Sequence, residues 1–272
     1  MDLLVERCAA IDVGKREVVA CVRAPQPQGR GRRRQTRTFA SFTGDLEAMA
    51  DWFAIEGVTE VVMEATGSYW KPVWYVLEER PFELKLVNVR HVKMVPGRKS
   101  DVLDAEWLAE LLEHGLLRGS FVPPPVIRDL RDLTRYRKRL IQTRTAECQR
   151  IQKTLEDAGI KLDSVASDVL GMSGRAMLAA LAAGERDPQT LAELAKGKLR
   201  SKRSELRRAL HGRFREHHAL LIGLCLEHLD GLEASIGRLD EHVDELFAGH
   251  VSEADVPFSR ARGACQIFCV RA

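Results

Sequence analysis

The sequence predicts an α/β domain followed by an all-α one. A mixed sheet with flanking helices is expected over residues 1–122, and a long antiparallel coiled-coil arm over 126–250. Three observations carry this expectation. Short apolar runs near the N-terminus follow one another across a glycine turn and then alternate with helical patterns, the order of a mixed sheet with helices on its faces. Pro123, Pro124 and Pro125 interrupt the chain, and three consecutive prolines sustain neither helix nor ladder. Beyond them, apolar residues recur in steps of three and four over two long stretches, the period of helices that pack along a stripe.

Cys8 to Val13 is a first apolar run and Glu17 to Val22 a second, with Gly14 between them; a hairpin follows. Pro25 to Arg37 carries Arg30, Arg32, Arg33, Arg34 and Arg37 among Gly, Gln and Pro and reads as a solvated, basic hairpin tip. Thr38 to Phe42 resumes a strand-like pattern. Leu46, Met49, Ala50 and Phe53 lie on one helical face, with Asp45 as the expected N-cap. Val58 to Met63 is almost wholly apolar, as in a strand buried on both faces, and Glu64 stands at its end. Pro72 to Glu79 reads as a helix with proline in its first turn, Leu84 to Val89 as a strand, and Arg90 to Lys99 as a basic loop. Ser100 is placed to cap a helix over Asp101 to His114. In the second half, Val126 to Asp157 reads as one helix with Leu130, Leu133, Leu140, Cys148, Ile151 and Leu155 in its stripe. Leu206 to Phe247 reads as the other, through Leu210, Leu221, Leu224, Leu232, Ile236, Leu239, Val243 and Leu246.

A chain of 272 residues with 45% hydrophobic and 30% charged residues has the composition of a soluble globular protein. At 6% aromatic, its core should be mostly aliphatic. The six cysteines, Cys8, Cys21, Cys148, Cys225, Cys265 and Cys269, form no Cys-x-x-Cys pair, which points to reduced thiols and no zinc site. Met1 to Arg7 lacks the basic start of a signal peptide. The longest apolar run, Leu220 to Leu226, is too short to span a bilayer. A cytosolic chain with no membrane partner is expected.

Four carboxylates stand out. Hydrolysis or transfer at a phosphodiester is served by divalent ions ~4 Å apart, and magnesium takes hard oxygen ligands. Asp12 sits in an apolar strand, where a lone charge is costly to bury. Glu64 ends another such strand, and if the two pair centrally their carboxylates meet at one end of the sheet. Asp101 and Asp104 are spaced to share a helix face. Each of the last two, taken alone, reads as a helix-start acid favoured by the dipole; Asp12 alone reads as a turn residue before Gly14. Taken together, four converging acids repel unless a cation sits among them.

These segments resemble the DEDD transposases of the insertion-sequence-110 family. The resemblance rests on Ala10-Ile11-Asp12-Val13-Gly14-Lys15, on Met63-Glu64-Ala65-Thr66-Gly67-Ser68-Tyr69-Trp70, and on Lys99-Ser100-Asp101-Val102-Leu103-Asp104-Ala105. It continues through Leu108-Ala109 and the arginine-rich Leu130 to Gln152, covering about residues 8 to 250. It implies an RNase H-like catalytic domain similar to a Holliday-junction resolvase (RuvC-like) domain, followed by a coiled coil. It also implies magnesium (or manganese) held by Asp12, Glu64, Asp101 and Asp104, and recombination of DNA by a homo-oligomer guided by a structured RNA, on the nucleoid of a bacterial cytosol. Members carry, after the coiled coil, a helical domain with a serine that attacks DNA. The tail 251–272 matches none of it, and the role is not transferred to Ser252 or Ser259. An alternative expectation follows: an inactive remnant that only binds nucleic acid or oligomerises. A sugar-kinase-like ATPase, which also begins with strand, Asp and Gly, is the weakest reading, since further glycine-rich phosphate loops are wanting and a coiled-coil arm is foreign to such enzymes.

Three basic zones remain: Arg30 to Arg37; Arg128 to Arg150, including Arg135 and Arg139; and Lys196 to Arg215, including Lys202, Arg203 and Arg207. A charge run is usually a solvated face. Asp129 and Asp132 favour that in the second zone, whereas only Glu205 opposes the third, which favours contact with phosphates there. Lys15, Arg98 and Lys99 flank the acids and are expected near the scissile phosphate. Tyr69 and Trp70 could stack on a base, though packing at the edge of the site is the plainer role. His217 and His218, adjacent on a helix, are not expected to share a face.

Overall fold

The computed structural model describes residues 3–27, 31–88 and 104–250, the last without the side chains of 249 and 250. Two compact units divide at 123/124.

The first unit holds five strands: β1 (Cys8–Val13), β2 (Glu17–Pro25), β3 (Arg32–Ala40), β4 (Glu60–Glu64) and β5 (Glu83–Val87). Their order across the sheet is β3-β2-β1-β4-β5. β1, β2 and β3 are antiparallel neighbours, whereas β1, β4 and β5 are parallel. This is the mixed sheet expected. Helices α1 (Thr43–Ile55) and α2 (Trp70–Glu78) connect β3 to β4 and β4 to β5, and α3 spans Asp104–Glu113.

Alternation along β1 and β4 splits the core. Ala9, Ile11, Val13, Val61 and Met63 face a cluster with Leu46, Met49 and Phe53 of α1 and Leu77 of α2. Cys8, Ala10 and Val62 face the other side, under Ala105, Leu108, Ala109 and Leu112 of α3. Central strands covered on both faces read as unbroken apolar runs, as these two do.

Two local expectations are corrected. The basic stretch is not a hairpin tip: Arg32 to Ala40 is a full strand, paired from Pro25↔Arg32 to Glu17↔Ala40. Its arginines are used inside the unit. Arg32 Nε lies 2.9 Å from Glu113, Arg33 pairs with Glu56, and Arg34 lies 2.9 Å from Glu106; β-ladder geometry throws alternate long side chains onto helix acids on either face. Asp45 does not cap α1. Phe42 holds the N-cap position with no side-chain bond, and Asp45 sits in the first turn.

In the second unit α4 (Pro125–Asp157) and α8 (Glu216–His250) are the long helices. Arg137 pairs with Asp240, Arg144 with Glu233 at 3.1 Å, and His228 with Glu147 at 3.1 Å. Partners fall in number on one helix as they rise on the other, so the two run antiparallel. Between them lie α5 (Met172–Ala182), α6 (Pro188–Glu193), α7 (Arg203–Ala209) and short 3-10 turns at Leu162–Ser164 and Gly197–Lys202. This insert shares one core with the adjoining ends of the long helices through Ile151, Leu155, Met177, Leu191, Leu206 and Ile222. The second long periodic stretch is therefore not one helix. α7 ends at Ala209, and Gly212, whose missing Cβ would stand 2.4 Å from the Ala158 carbonyl oxygen, brings the chain against the end of α4 before α8 begins.

Candidate active site

The sheet places two acids side by side. β1 and β4 are paired in parallel from Cys8↔Glu60 to Ile11↔Met63; the next residues along are Asp12 and Glu64. Counting in twos from Cys8 and Ala10, and from Glu60 and Val62, puts both side chains on the α3 face of the sheet. Asp12 is the last but one residue of β1 and Glu64 the last of β4, and both are half-buried. α3 brings the third acid. Its first turn carries Asp104, exposed, and its following residues pack on β1 and β4.

Asp12 and Asp104 are close enough to interact. Burial raises the Asp12 carboxyl above its ordinary range, the negative charge of Asp104 raises it further, and the Val13 backbone N–H works the other way. The other acid of that turn, Glu106, is withdrawn: Thr36 Oγ1 donates to it at 3.0 Å and Arg34 pairs with it. Asp104 has the place nearer Asp12.

Glu64 is set by the turn that follows it. The Thr66 N–H donates to the Glu64 carbonyl oxygen at 2.9 Å, and Thr66 Oγ1 lies 3.4 Å from Glu64 Oε1. Gly67 at φ 53° closes the turn, in a region costly for other residues. Thr66 is a contact that sequence reading missed; its only signal is its place two residues beyond the acid. Trp70 is used in packing, edge-on to Trp74 with ring centroids 5.9 Å apart, while Tyr69 is exposed.

Asp101, Arg98 and Lys99 lie outside the described residues. Lys15 is exposed in the β1–β2 turn. Arg135 and Arg139 are exposed on α4. Lys202 Nζ lies 3.3 Å from the Val165 carbonyl oxygen, Arg207 donates to Gln189 at 3.3 Å, and Arg203 is exposed at the start of α7.

Among the described residues, Asp12, Glu64 and Asp104 share one face and one end of the sheet, but their ligand atoms are not drawn within 4.8 Å of one another. Asp157, His217 and His218 are, with the two histidine rings 3.9 Å apart, contrary to expectation. Proton bookkeeping nonetheless makes this second group a latch. His218 Nδ1 accepts the Arg215 N–H at 3.1 Å, so its Nε2 carries the proton and donates to Asp157 at 2.8 Å. Both nitrogens are committed, and a metal on Nε2 would break the Arg215 bond that caps α8. The bond from His218, with the nearby charge of Arg215, holds the Asp157 carboxyl below its ordinary range.

Residues 9–160 match the family model for DEDD transposases of the insertion-sequence-110 type, described as a transposase. No curated protein matches. Among solved structures, the chain is similar to RuvC of Thermus thermophilus at 14% identity and a TM-score of 0.32, over 42% of this chain and 99% of that one. It is also similar to a Ppx/GppA family member of Aquifex aeolicus at 12% identity and a TM-score of 0.25, over 92% of this chain and 100% of that one. Likenesses this weak carry nothing about fold or activity. The family match extends over more than half of the chain and includes the Asp12, Glu64 and Asp104 segments just described: the chain belongs to the insertion-sequence-110 family of DEDD transposases, which are recombining enzymes.

Proposed function

We propose that the first unit is an RNase H-like nuclease domain that cuts DNA strands during transposition, with Asp12, Glu64, Asp104 and Asp101 as the ligands of magnesium or manganese. The observation that carries this is the convergence of Asp12, Glu64 and Asp104 on one end of the sheet, with the Asp12 carboxyl raised by burial and by Asp104. A half-buried carboxyl whose ionisation a neighbouring carboxylate disfavours suits a hard divalent cation. When bound, such ions activate an attacking oxygen and stabilise the leaving one. The protein's part is to hold the acids. Strand pairing fixes Asp12 beside Glu64, Thr66 orients the Glu64 carboxylate, and α3 carries Asp104 over them. Lys15, with Arg98 and Lys99, would hold the phosphate on either side of the break.

The finer parts of the reading are a structured guide RNA, assembly of copies through α4 and α8 as a coiled coil, and work on the nucleoid in the bacterial cytosol. Exposed Leu220, Leu221 and Leu224 on α8 support the assembly, since apolar side chains grouped on a helix favour a partner helix. Among the described residues no helix is long and apolar enough to cross a membrane.

Asp12→Ala and Glu64→Ala are expected to abolish metal-dependent cleavage of the element's DNA ends, by at least ~100-fold, with the circular dichroism spectrum unchanged. Calorimetric magnesium binding should vanish in the Asp12→Asn, Glu64→Gln double variant. Cleavage undiminished by either Ala substitution would refute the assignment.

A further inference from the structure

We infer that the helical insert between α4 and α8 is a phosphate-backbone binding surface, centred on Lys198, Arg200, Lys202 and Arg203. This rests on the reading above that the chain works on nucleic acid.

Three basic zones run through the chain, and their surroundings differ. In the first, Arg32, Arg33 and Arg34 are held by Glu113, Glu56 and Glu106. In the second, Arg137, Arg144 and Arg150 are held by Asp240, Glu233 and Glu147, while Arg131, Arg135, Lys138 and Arg139 are exposed on a helix that also carries Asp129 and Asp132. In the third, every cation from Lys196 to Arg213 is exposed, and among the described residues none has an acid within ion-pair distance. Over these 18 residues, Lys and Arg number eight against the single Glu205, a net charge of +7 where the whole chain carries +3.

The placement of these cations is unfavourable for the fold. Lys202 is the N-cap of α7 and Arg203 its first residue, where the positive end of the helix dipole repels cations. Only Arg207 and Arg208, in the last turn, have a dipole to favour them. Like charges crowded on a short segment cost stability that a bound polyanion recovers.

The surface is also firmly backed. Leu206, Ala209 and Leu210 turn the other side of α7 into the core. The Lys196 N–H donates to Ser173 Oγ at 2.9 Å, and the Lys161 N–H to the Ala209 carbonyl oxygen at 2.9 Å. The cations thus project from a braced platform, which lowers the ordering cost of binding. The ligand chemistry is a run of phosphodiesters, supplied by duplex DNA or by structured RNA.

The test is binding of the full chain to a duplex DNA and to a hairpin RNA of arbitrary sequence, in EDTA, across a salt series. Working without divalent metal makes the result independent of the acid site, so this inference and the cleavage reading can fail separately. Lys198→Gln, Arg200→Gln, Lys202→Gln and Arg203→Gln together should weaken binding at least ~tenfold and lower the salt slope by about 3 to 4, at about 0.9 per duplex phosphate contact. The companion Arg200→Lys, Arg203→Lys variant should keep affinity, slope and melting temperature, while the Gln variant, relieved of the repulsion, should melt no lower than the native chain. Loss on DNA alone, on RNA alone, or on both supports the surface and identifies its ligand. Unchanged affinity and slope on both would overturn it.

Discussion

Asp12 is an acid that the fold holds at a cost. Its neighbours in β1 are apolar and fully buried, and both desolvation and Asp104 favour its protonated form. A carboxyl whose folded pKa lies above its unfolded value destabilises the fold at higher pH, and that cost disappears as pH falls through the folded value. In metal-free buffer at neutral pH, Asp12→Asn is therefore expected to raise the melting temperature by a few degrees, and to flatten its rise on mild acidification. Magnesium should stabilise the native chain and leave the variant nearly unmoved. Thermal melts with and without magnesium measure this; an Asn variant less stable than the native chain without metal would show that the carboxylate is compensated by something else. Glu64 differs in that Thr66 already stands beside it.

At the scale of elements, much was legible because period and end signals agreed. Two apolar runs, one holding Asp12 and the other ending in Glu64, marked β1 and β4 as buried strands, and α4 follows from proline at its start and a stripe of three and four; that β1 and β4 pair in parallel comes from the structure. What was not legible depended on distant partners. Nothing in Arg32 to Arg37 reveals that these residues pair with β2, or that Glu113, 90 residues beyond Arg23, receives both Arg23 and Arg32. Adjacent histidines at the first turn of α8 are brought together by Asp157 and by the Arg215 N–H, which no helical wheel contains. Arg23 and Arg32 meet at Glu113, which is 2% exposed and ends α3. Removing one partner of a buried ionic group leaves the rest uncompensated. Glu113→Gln is expected to cost about 3 kcal/mol in urea denaturation, more than the loss of any exposed pair such as Arg80–Asp51. A cost below that of the exposed pair would mean that solvent reaches both arginines.

For the whole molecule, the buried clusters have a consequence for cooperativity. Residues 3–123 build two apolar clusters on the two faces of one sheet, and the second unit builds its own around the insert and the adjoining ends of α4 and α8. No cluster draws on both sides of 123/124 among the described residues. Units with separate cores unfold as separate transitions. All the described acids of the candidate site belong to the first, and the unpaired cations of the insert belong to the second. Differential scanning calorimetry of the full chain is therefore expected to resolve two transitions with distinct ligand responses. Magnesium should raise the one assigned to the sheet unit and leave the other in place, while a short duplex DNA in EDTA should raise the helical unit's transition. The Asp12→Asn, Glu64→Gln variant should abolish only the first response, and neutralising Lys198, Arg200, Lys202 and Arg203 should diminish only the second. A single transition that both ligands move together would show that the units share stability, and would remove the separation of cutting from gripping that the two cores imply.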